Sequence, residues 1–470
     1  MMQIKYYIFL ILFFKLNSLF AQESNNELGV QQVIELVRQF HPIVRQSNIG
    51  IETSEANILN AKGNFDPLLN SYLGQKTFNG TNYYNNISTE LKIPTWYGMD
   101  VYAGVDYLTG NRLDPTMSSG QSSYLGLNVP LVKNLLLDKR RAFLQQAKIY
   151  NSMSKADQMI LINNILMDAI SAYWSWVNAY ESYKIIEQNV LINNKRLDLI
   201  KKSVLNGERP EIDIVEANTQ LQSFEYIKNE RWLAFQNAGL SLSAYLWKNS
   251  NIPFQLPESV VPQKDWDNEL LYSIYDQSLT NLISVANHSH PELVNYNYKL
   301  DILKIEKKLK FQELLPKVDF KYNFLTKGYG IHRSLLDASL FQNNYQYGVK
   351  MELPLFFSQG RANYKLAKLK IEDTNLDKLQ KQRTIELKIK HYYNEYLNLK
   401  NQSELQTKNF DNYQKLLNAE LIRFQNGESS LFLINSRENK TLEVQEKLIE
   451  IKTKYFKSIF ALQWSAGVLK

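Results

Sequence analysis

The 470-residue sequence contains no cysteine, which excludes disulfides, thiolate metal sites, thiol nucleophiles and a lipid-bearing N-terminal cysteine together. It has no stretch of eighteen consecutive apolar residues and a mean hydropathy of −0.36, which excludes a polytopic helical membrane protein. The most apolar helical stretch, Met159 to Val177, is interrupted by Asn163, Asn164 and Asp168. Charge of one sign is scarce: the net charge is +7, two of the lysines (Lys5 and Lys15) lie in the first 21 residues, and the remainder are dispersed. Nucleic acid is therefore not an expected partner. There is no GxGxxG after a strand, no HExxH and no GxSxG, so the sequence predicts no enzyme and no cofactor. Of the five histidines only His288 and His290 form a close pair, and the eight methionines do not cluster; no metal site is expected. Aromatics are plentiful, with 29 tyrosines and 22 phenylalanines.

The N-terminus reads MMQIKYYIFLILFFKLNSLFAQ, a lysine followed by an apolar run from Tyr6 to Phe14. This predicts a secretory signal peptide over residues 1–21, cut after Ala21, although Leu19 stands where a small residue is usual. The apolar run is too short to span a hydrocarbon layer of roughly 30 Å.

Four landmarks recur in the same order. His41-Pro42 returns as His290-Pro291 and Pro67 as Pro316, both 249 residues later. Pro130 returns as Pro354 after 224 residues, and Gly207 as Gly427 after 220. The chain is two copies of one plan, the first longer by 25 residues around Leu91 to Asp114, which belong either to the strand region or to an external hairpin.

Within each copy the period switches. After Pro67 it is two: Tyr97, Met99, Val101, Ala103, Val105 and Tyr107 share a face, as do Val318, Phe320, Tyr322 and Phe324 in the second copy. These are strands with one apolar face. After Pro130 and Pro354 the spacing alternates four and three, through Ile162, Leu166, Ala169, Tyr173 and Trp176, resuming at Val190, Asn194, Leu197 and Val204. The second copy does the same through Ile385, Ile389, Tyr392 and Tyr396. Heptads sustained over this distance predict coiled-coil packing. A helix over 134–205 would be about 108 Å long at 1.5 Å per residue, and shorter helices must line its length.

The resulting division is 22–248 for repeat 1 (helices 28–62, strands 67–130, long helix 134–205, helix 211–247) and 249–286 for a proline-bearing connector. Repeat 2 is 287–470 (helix 291–313, strands 316–354, long helix 361–425, helix 429–464). Asn206-Gly207 and Asn426-Gly427 fall where the long helices must reverse. About four principal strands are expected, against at least about eight in a membrane barrel. Such strands bury an apolar face and lose their edges only if several chains pool them, or if they belong to a soluble sheet.

The ordered set of His-Pro helix starts, Pro-then-strand steps, strand-Pro-Leu-helix steps at Pro130 and Pro354, and glycine turns resembles the TolC-like outer-membrane efflux proteins over essentially the whole mature chain. The resemblance implies a mainly α fold with a membrane β part: a homotrimeric α-barrel tunnel in the periplasm joined to a shared 12-stranded β-barrel in outer-membrane lipid. It implies docking onto a periplasmic adaptor and an inner-membrane transporter, and export of small molecules or polypeptides. The alternative is a secreted or periplasmic coiled-coil adhesin or adaptor without a barrel.

The resemblance also places Asn206, Gly207, Asn426 and Gly427 at the periplasmic tip, where adaptors dock, with acids six and nine positions beyond each glycine narrowing the pore. Repeat 1 has Asp213 and Glu216 there; repeat 2 departs, with Leu433 and Ser436, and Arg437 adjacent. The family's acids are commonly in the second copy. The expected constriction is therefore built from Asp213 and Glu216, cross-linked to Arg437 when closed, while acids in a first helical turn also simply complement the helix dipole.

Overall fold

The computed structural model describes residues 27–249, 252–268, 278–328 and 344–469, so the signal peptide expected over 1–21 lies outside the described residues. The chain divides into two compact units. The unit made of residues 47–159 and 291–383 contains the sheet. It includes most of α2 (Pro42–Gly63), then β2 (Leu68–Phe78), β3 (Thr81–Pro94), β4 (Asp100–Thr109) and β5 (Gly120–Pro130). From repeat 2 come α6 (Pro291–Phe311), β9 (Lys317–Lys327) and β10 (Tyr345–Glu352). All six strands form one antiparallel sheet in the order β10-β9-β5-β4-β3-β2. Among the described residues the sheet thus has six strands, where about four principal strands were expected. Of residues 91–114, Leu91 to Pro94 end β3 and Asp100 to Thr109 form β4, both in the sheet, while 95–99 and 110–114 are turn and loop.

The register assigns each side chain to a face, because directly opposed residues in an antiparallel pair point the same way. Leu69, Leu91, Ala103, Leu125, Phe324 and Tyr345 form one row across all six strands. The next parallel row on that face is Ile93, Val101, Leu127, Tyr322 and Tyr347. The opposite face carries Lys92, Tyr102, Gly126, Asn323 and Gln346, and beside them Glu90, Gly104 and Tyr124. Tyr124 donates to Glu90 at 2.7 Å and Ser88 to Asp106 at 2.5 Å. One face is apolar and the other is a hydrogen-bonded polar surface. Below the sheet, Ala61 and Phe65 pack on Leu144 and Ala147.

The second unit, residues 1–46, 160–290 and 384–470, is helical around an aromatic core. Its described part opens with β1 (Glu27–Leu28) and α1 (Val30–Phe40). The helix expected over 28–62 is broken at His41, whose extended backbone starts a new helix at Pro42 because a residue before proline avoids the helical region. The long helix α3 (Lys139–Leu205) begins later than residue 134: Asn134 has φ +70°, and Asp138 accepts from the Arg141 N–H at 2.8 Å as its cap. At 67 residues it is about 100 Å long. Leu166, Ala169, Tyr173 and Trp176 of its heptad are buried, but Asn193 rather than Asn194 takes the later core position. Then come α4 (Ile212–Ser243), β6 (Trp247–Lys248), β7 (Ile252–Pro253), β8 (Val261–Pro262), α5 (Leu279–Ser289), α7 (Ser358–Gln425) and α8 (Leu431–Ser465). The connector is held down by β8 pairing with β1. Trp266 also packs edge-on against Trp174 and Phe456. No described helix is long and apolar enough to cross a membrane.

Candidate pore constriction and helix-turn tips

Both reversals close in the same way. Glu208 N–H bonds to the Ser203 carbonyl and Gly207 N–H to that of Val204, each at 2.9 Å. In repeat 2, Glu428 bonds to Arg423 at 2.8 Å and Gly427 to Phe424 at 3.1 Å. These paired bonds are the Schellman motif, which satisfies the last carbonyls and requires a left-handed residue one position past the helix. Gly207 and Gly427 have φ of +75° and +78°, with no atom within 4 Å of where a Cβ would sit. Glycine is needed here for conformation and not for space.

Behind the turns a small core forms from Val190, Leu197 and Ile200 of α3, Ala217, Leu221 and Phe224 of α4, and Leu431 and Leu442 of α8. The helices that follow the turns start differently. α8 has Ser430 as its cap, accepting from Leu433 N–H at 3.4 Å, whereas α4 has Glu211 in a helical conformation and no side-chain cap.

The four candidate polar side chains separate into two groups. Asp213 pairs with Arg209 at 3.3 Å. The Arg209 guanidinium lies 3.7 Å from the centre of the Phe424 ring and donates to the Phe424 carbonyl at 3.4 Å. Asp213 is thereby coupled, through Arg209, to the end of α7. Glu216 accepts from Asn435 at 3.1 Å and lines, with Ser436 and Arg437, one groove of about 770 Å³. Within the chain Asp213 pairs with Arg209 and Glu216 accepts from Asn435. Leu433 is 40 % exposed and lies outside that groove.

The sequence reading missed the most buried ion pair of the region. Arg196 of α3 reaches Glu438 of α8 at 2.7 and 3.0 Å, and Asn193 donates to the same carboxylate at 3.2 Å. Glu438 is 3 % exposed. Its signal was present: Glu438 interrupts the stripe Leu431, Ile434, Thr441, Leu442, and a charge at a core position demands a partner. Arg196 lies eleven residues before Gly207 and Glu438 eleven after Gly427. Arg231 and Glu446 link α4 to α8 in the same manner at 2.8 and 3.1 Å.

Residues 282–468 match the family described as outer membrane efflux protein. No curated protein matches the chain. Among solved structures the fold is similar to that of a membrane protein from Pseudomonas aeruginosa, at 13 % identity and TM-score 0.66, over 93 % of this chain and 92 % of that one. It is similar to the CmeC outer membrane channel of Campylobacter jejuni, at 16 % identity and TM-score 0.62, over 94 % and 86 %. It is also similar to the outer membrane protein VceC of Vibrio cholerae, at 14 % identity and TM-score 0.63, over 93 % and 96 %. The TolC-like outer-membrane efflux proteins are thus the family that this chain resembles, in sequence across its second repeat and in fold across nearly its whole length.

Proposed function

We propose that the chain is one subunit of a trimeric efflux channel in a bacterial outer membrane, with its helices in the periplasm. The observation that carries this is the two-faced sheet. One apolar row, from Leu69 to Tyr345, crosses all six strands, and exposed Leu69, Leu73, Leu127, Tyr347 and Val349 stand on that face. A sheet with one lipid-like face, one polar face and two open edges meets the conditions of a membrane barrel only when copies close it. The heptad-packed helices continue it as a tunnel. The channel receives small molecules or polypeptides from an inner-membrane transporter through a periplasmic adaptor that engages the tips at Asn206-Gly207 and Asn426-Gly427.

Asp213 and Glu216 of three copies supply a cation-favouring constriction at the tip. Asp213 is partly neutralised by Arg209, so Glu216 contributes the larger share of the field. Two measurements test the proposal. Fractionation gives a heat-sensitive oligomer in the detergent-extracted outer membrane, and a soluble periplasmic trimer would overturn the channel. In planar bilayers, Asp213→Ala with Glu216→Ala lowers cation selectivity, and unchanged conductance and reversal potential would overturn the constriction.

A further inference from the structure

We infer that the two steps from strand to helix, over residues 131–138 and 353–360, are lipid anchors. Their exposed apolar side chains enter the periplasmic leaflet of the membrane, and the cations that follow them bind the phosphates of anionic phospholipids. The inference rests on the outer-membrane reading above and adds to it where the bilayer ends and what holds the protein at that level.

Both steps hold large apolar side chains away from the fold. Leu136, Leu355 and Phe356 are 81, 83 and 79 % exposed, and Leu131, Leu135 and Leu353 are exposed as well. Connections in water are ordinarily polar. Here each is fixed by an arginine of the helix that follows. Arg141 donates to the Asn134 and Leu135 carbonyls at 2.6 and 3.0 Å, and Arg361 donates to the Phe356 carbonyl at 2.8 Å. Each step also has one non-glycine residue in the left-handed region, Asn134 at φ +70° and Phe357 at φ +50°. A bulky residue such as phenylalanine rarely adopts that conformation and keeps it only where its surroundings fix it. The two repeats reach the same result with different residues: a clamped turn that presents apolar groups.

What covers those groups follows from their position. The apolar face of the sheet does not stop at Glu352, where β10 ends: Tyr347, Val349 and Met351 are exposed on it, and Leu353 and Leu355 continue the alternation. On β5 the same face runs through Leu127 and Val129 to Leu131, whose N–H still reaches the Val318 carbonyl at 2.8 Å. The stretch from Tyr345 to Leu355 is eleven residues long, and a tilted membrane strand uses about 9–11. The steps therefore stand at the helix-side rim of the surface that lipid covers. A neighbouring copy meets an edge strand, whereas β5 stands two strands in from the nearer edge of the sheet.

Charge points to the same occupant. Residues 131–156 contain six cations and one acid, Asp138, which is buried against Arg140 and Arg141 at 3.3 and 3.2 Å. Residues 353–371 contain four cations and no acid. Lys139 opens α3 and Lys365 lies about 10 Å along α7, and both are exposed. Each is within about one Debye length of the rim at physiological salt. Apolar side chains followed by cations without acids match the order of acyl chain and phosphate in a leaflet of anionic phospholipid.

The absence of cysteine allows a test in the full-length oligomer, with Leu136→Cys, Phe356→Cys, Leu127→Cys in the sheet and Leu433→Cys at the helical tip. Each is labelled with a fluorophore in detergent and reconstituted in vesicles of phosphatidylethanolamine and phosphatidylglycerol. Lipids carrying a nitroxide near the carboxyl end of the acyl chain quench the labels at 136 and 356 at least about twofold more than lipids carrying it near the methyl end, because the anchors lie at the interface. The label at 127 is quenched by both, and that at 433 by neither. On phosphatidylglycerol the shallow nitroxide quenches 136 and 356 more than on phosphatidylcholine, and Lys139→Gln with Lys365→Gln removes the difference; equal quenching in the unaltered protein overturns the phosphate contact. If 136 and 356 are unquenched while 127 is quenched, the steps lie outside the lipid and this inference falls alone. If 127 is unquenched too, the outer-membrane reading falls with it. Disulfide-linked dimers of Leu136→Cys or Phe356→Cys on oxidation would make a second copy the occupant and overturn the lipid.

Discussion

At Asn206-Gly207 and at Asn426-Gly427 two helices end on the same pair of hydrogen bonds, yet the helices that follow begin with different chemistry. Repeat 1 places Asp213 and Glu216 after its glycine and leaves the new helix without a side-chain cap. Repeat 2 places Leu433 and Ser436 there and caps the helix with Ser430. Backbone geometry is thus common to the repeats because a helix reversal has few solutions, while side chains are free to diverge once the turn is secured. The divergence is complementary: Arg209 of repeat 1 packs on Phe424 of repeat 2, and Arg196 of repeat 1 is neutralised by Glu438 of repeat 2. Each repeat supplies what the other lacks.

The largest effect is expected where that complementarity is buried. Glu438→Ala leaves Arg196 without its carboxylate in a site where their side chains are only 4 % and 12 % exposed, which costs about 3–5 kcal/mol. Thermal unfolding of the detergent-solubilised protein reads this as a marked drop in midpoint. The double change Arg196→Met with Glu438→Leu recovers most of it, because apolar residues of similar volume remove the uncompensated charge. A double variant as unstable as the single one would mean that the pair acts through geometry rather than charge.

The turns themselves come next. Gly207→Ala and Gly427→Ala each force a Cβ into the left-handed region, at about 1–2 kcal/mol. Since neither site has a neighbour within 4 Å, the two costs should be alike despite their different surroundings. Asparagine, which tolerates that conformation, should cost about half as much. Unequal melting shifts for the two alanine variants would show that the repeats differ in backbone as well as in side chains.

The turn glycines, the long heptads and the one-faced strands were all legible in the sequence, because each follows from a local rule of period or of φ. What escaped was set by pairing across long distances. The strand count came out as four although Asn79-Gly80 announced a hairpin in plain residues; the extra strands were hidden because the apolar face of β3 also carries Asn85 and Thr89. Asn194 was assigned to the core in place of Asn193 because Glu187 interrupts the heptad, where Tyr183 and Lys184 hold it at 2.9 and 2.7 Å. The candidate residues at the tip could be named by position, but their partners Arg209 and Asn435 could not, since neither spacing nor composition tells which helix faces which.

A smaller effect separates the two His-Pro steps from an ordinary helix start. His41 Nδ1 accepts the Ile43 N–H at 3.2 Å, beside the rings of Tyr245 and Trp247, and burial pushes its pKa below the usual 6.5. A lowered folded pKa means that the unfolded chain binds the proton first. The stabilising contribution is therefore complete above pH 6.5 and is lost as the pH falls from there through the folded value. His41→Asn retains a cap for the new helix and removes the titration, so its melting midpoint should fall less than that of the wild-type protein between pH 7 and pH 5.5. Parallel pH profiles would show that the imidazole is not the group responsible.

The smallest change tests the asymmetry of the helix starts directly. α4 begins at Ile212 behind Glu211, whose backbone is helical and whose side chain makes no capping bond, whereas α8 begins behind an extended Ser430 that does. Glu211→Ser gives repeat 1 the cap of repeat 2 and should stabilise it by about 0.5–1 kcal/mol, while Ser430→Ala should remove about 1 kcal/mol from repeat 2. The first gain requires the backbone at 211 to leave the helical region, which the bond from Ile214 N–H to the Glu211 carbonyl at 3.0 Å would survive, since a cap residue's carbonyl still accepts the first helical bond. If Glu211→Ser brings no gain while Ser430→Ala brings the loss, the uncapped start of α4 is fixed by the Pro210 turn before it, and the two repeats differ in the backbone of their second helix as well as in its side chains.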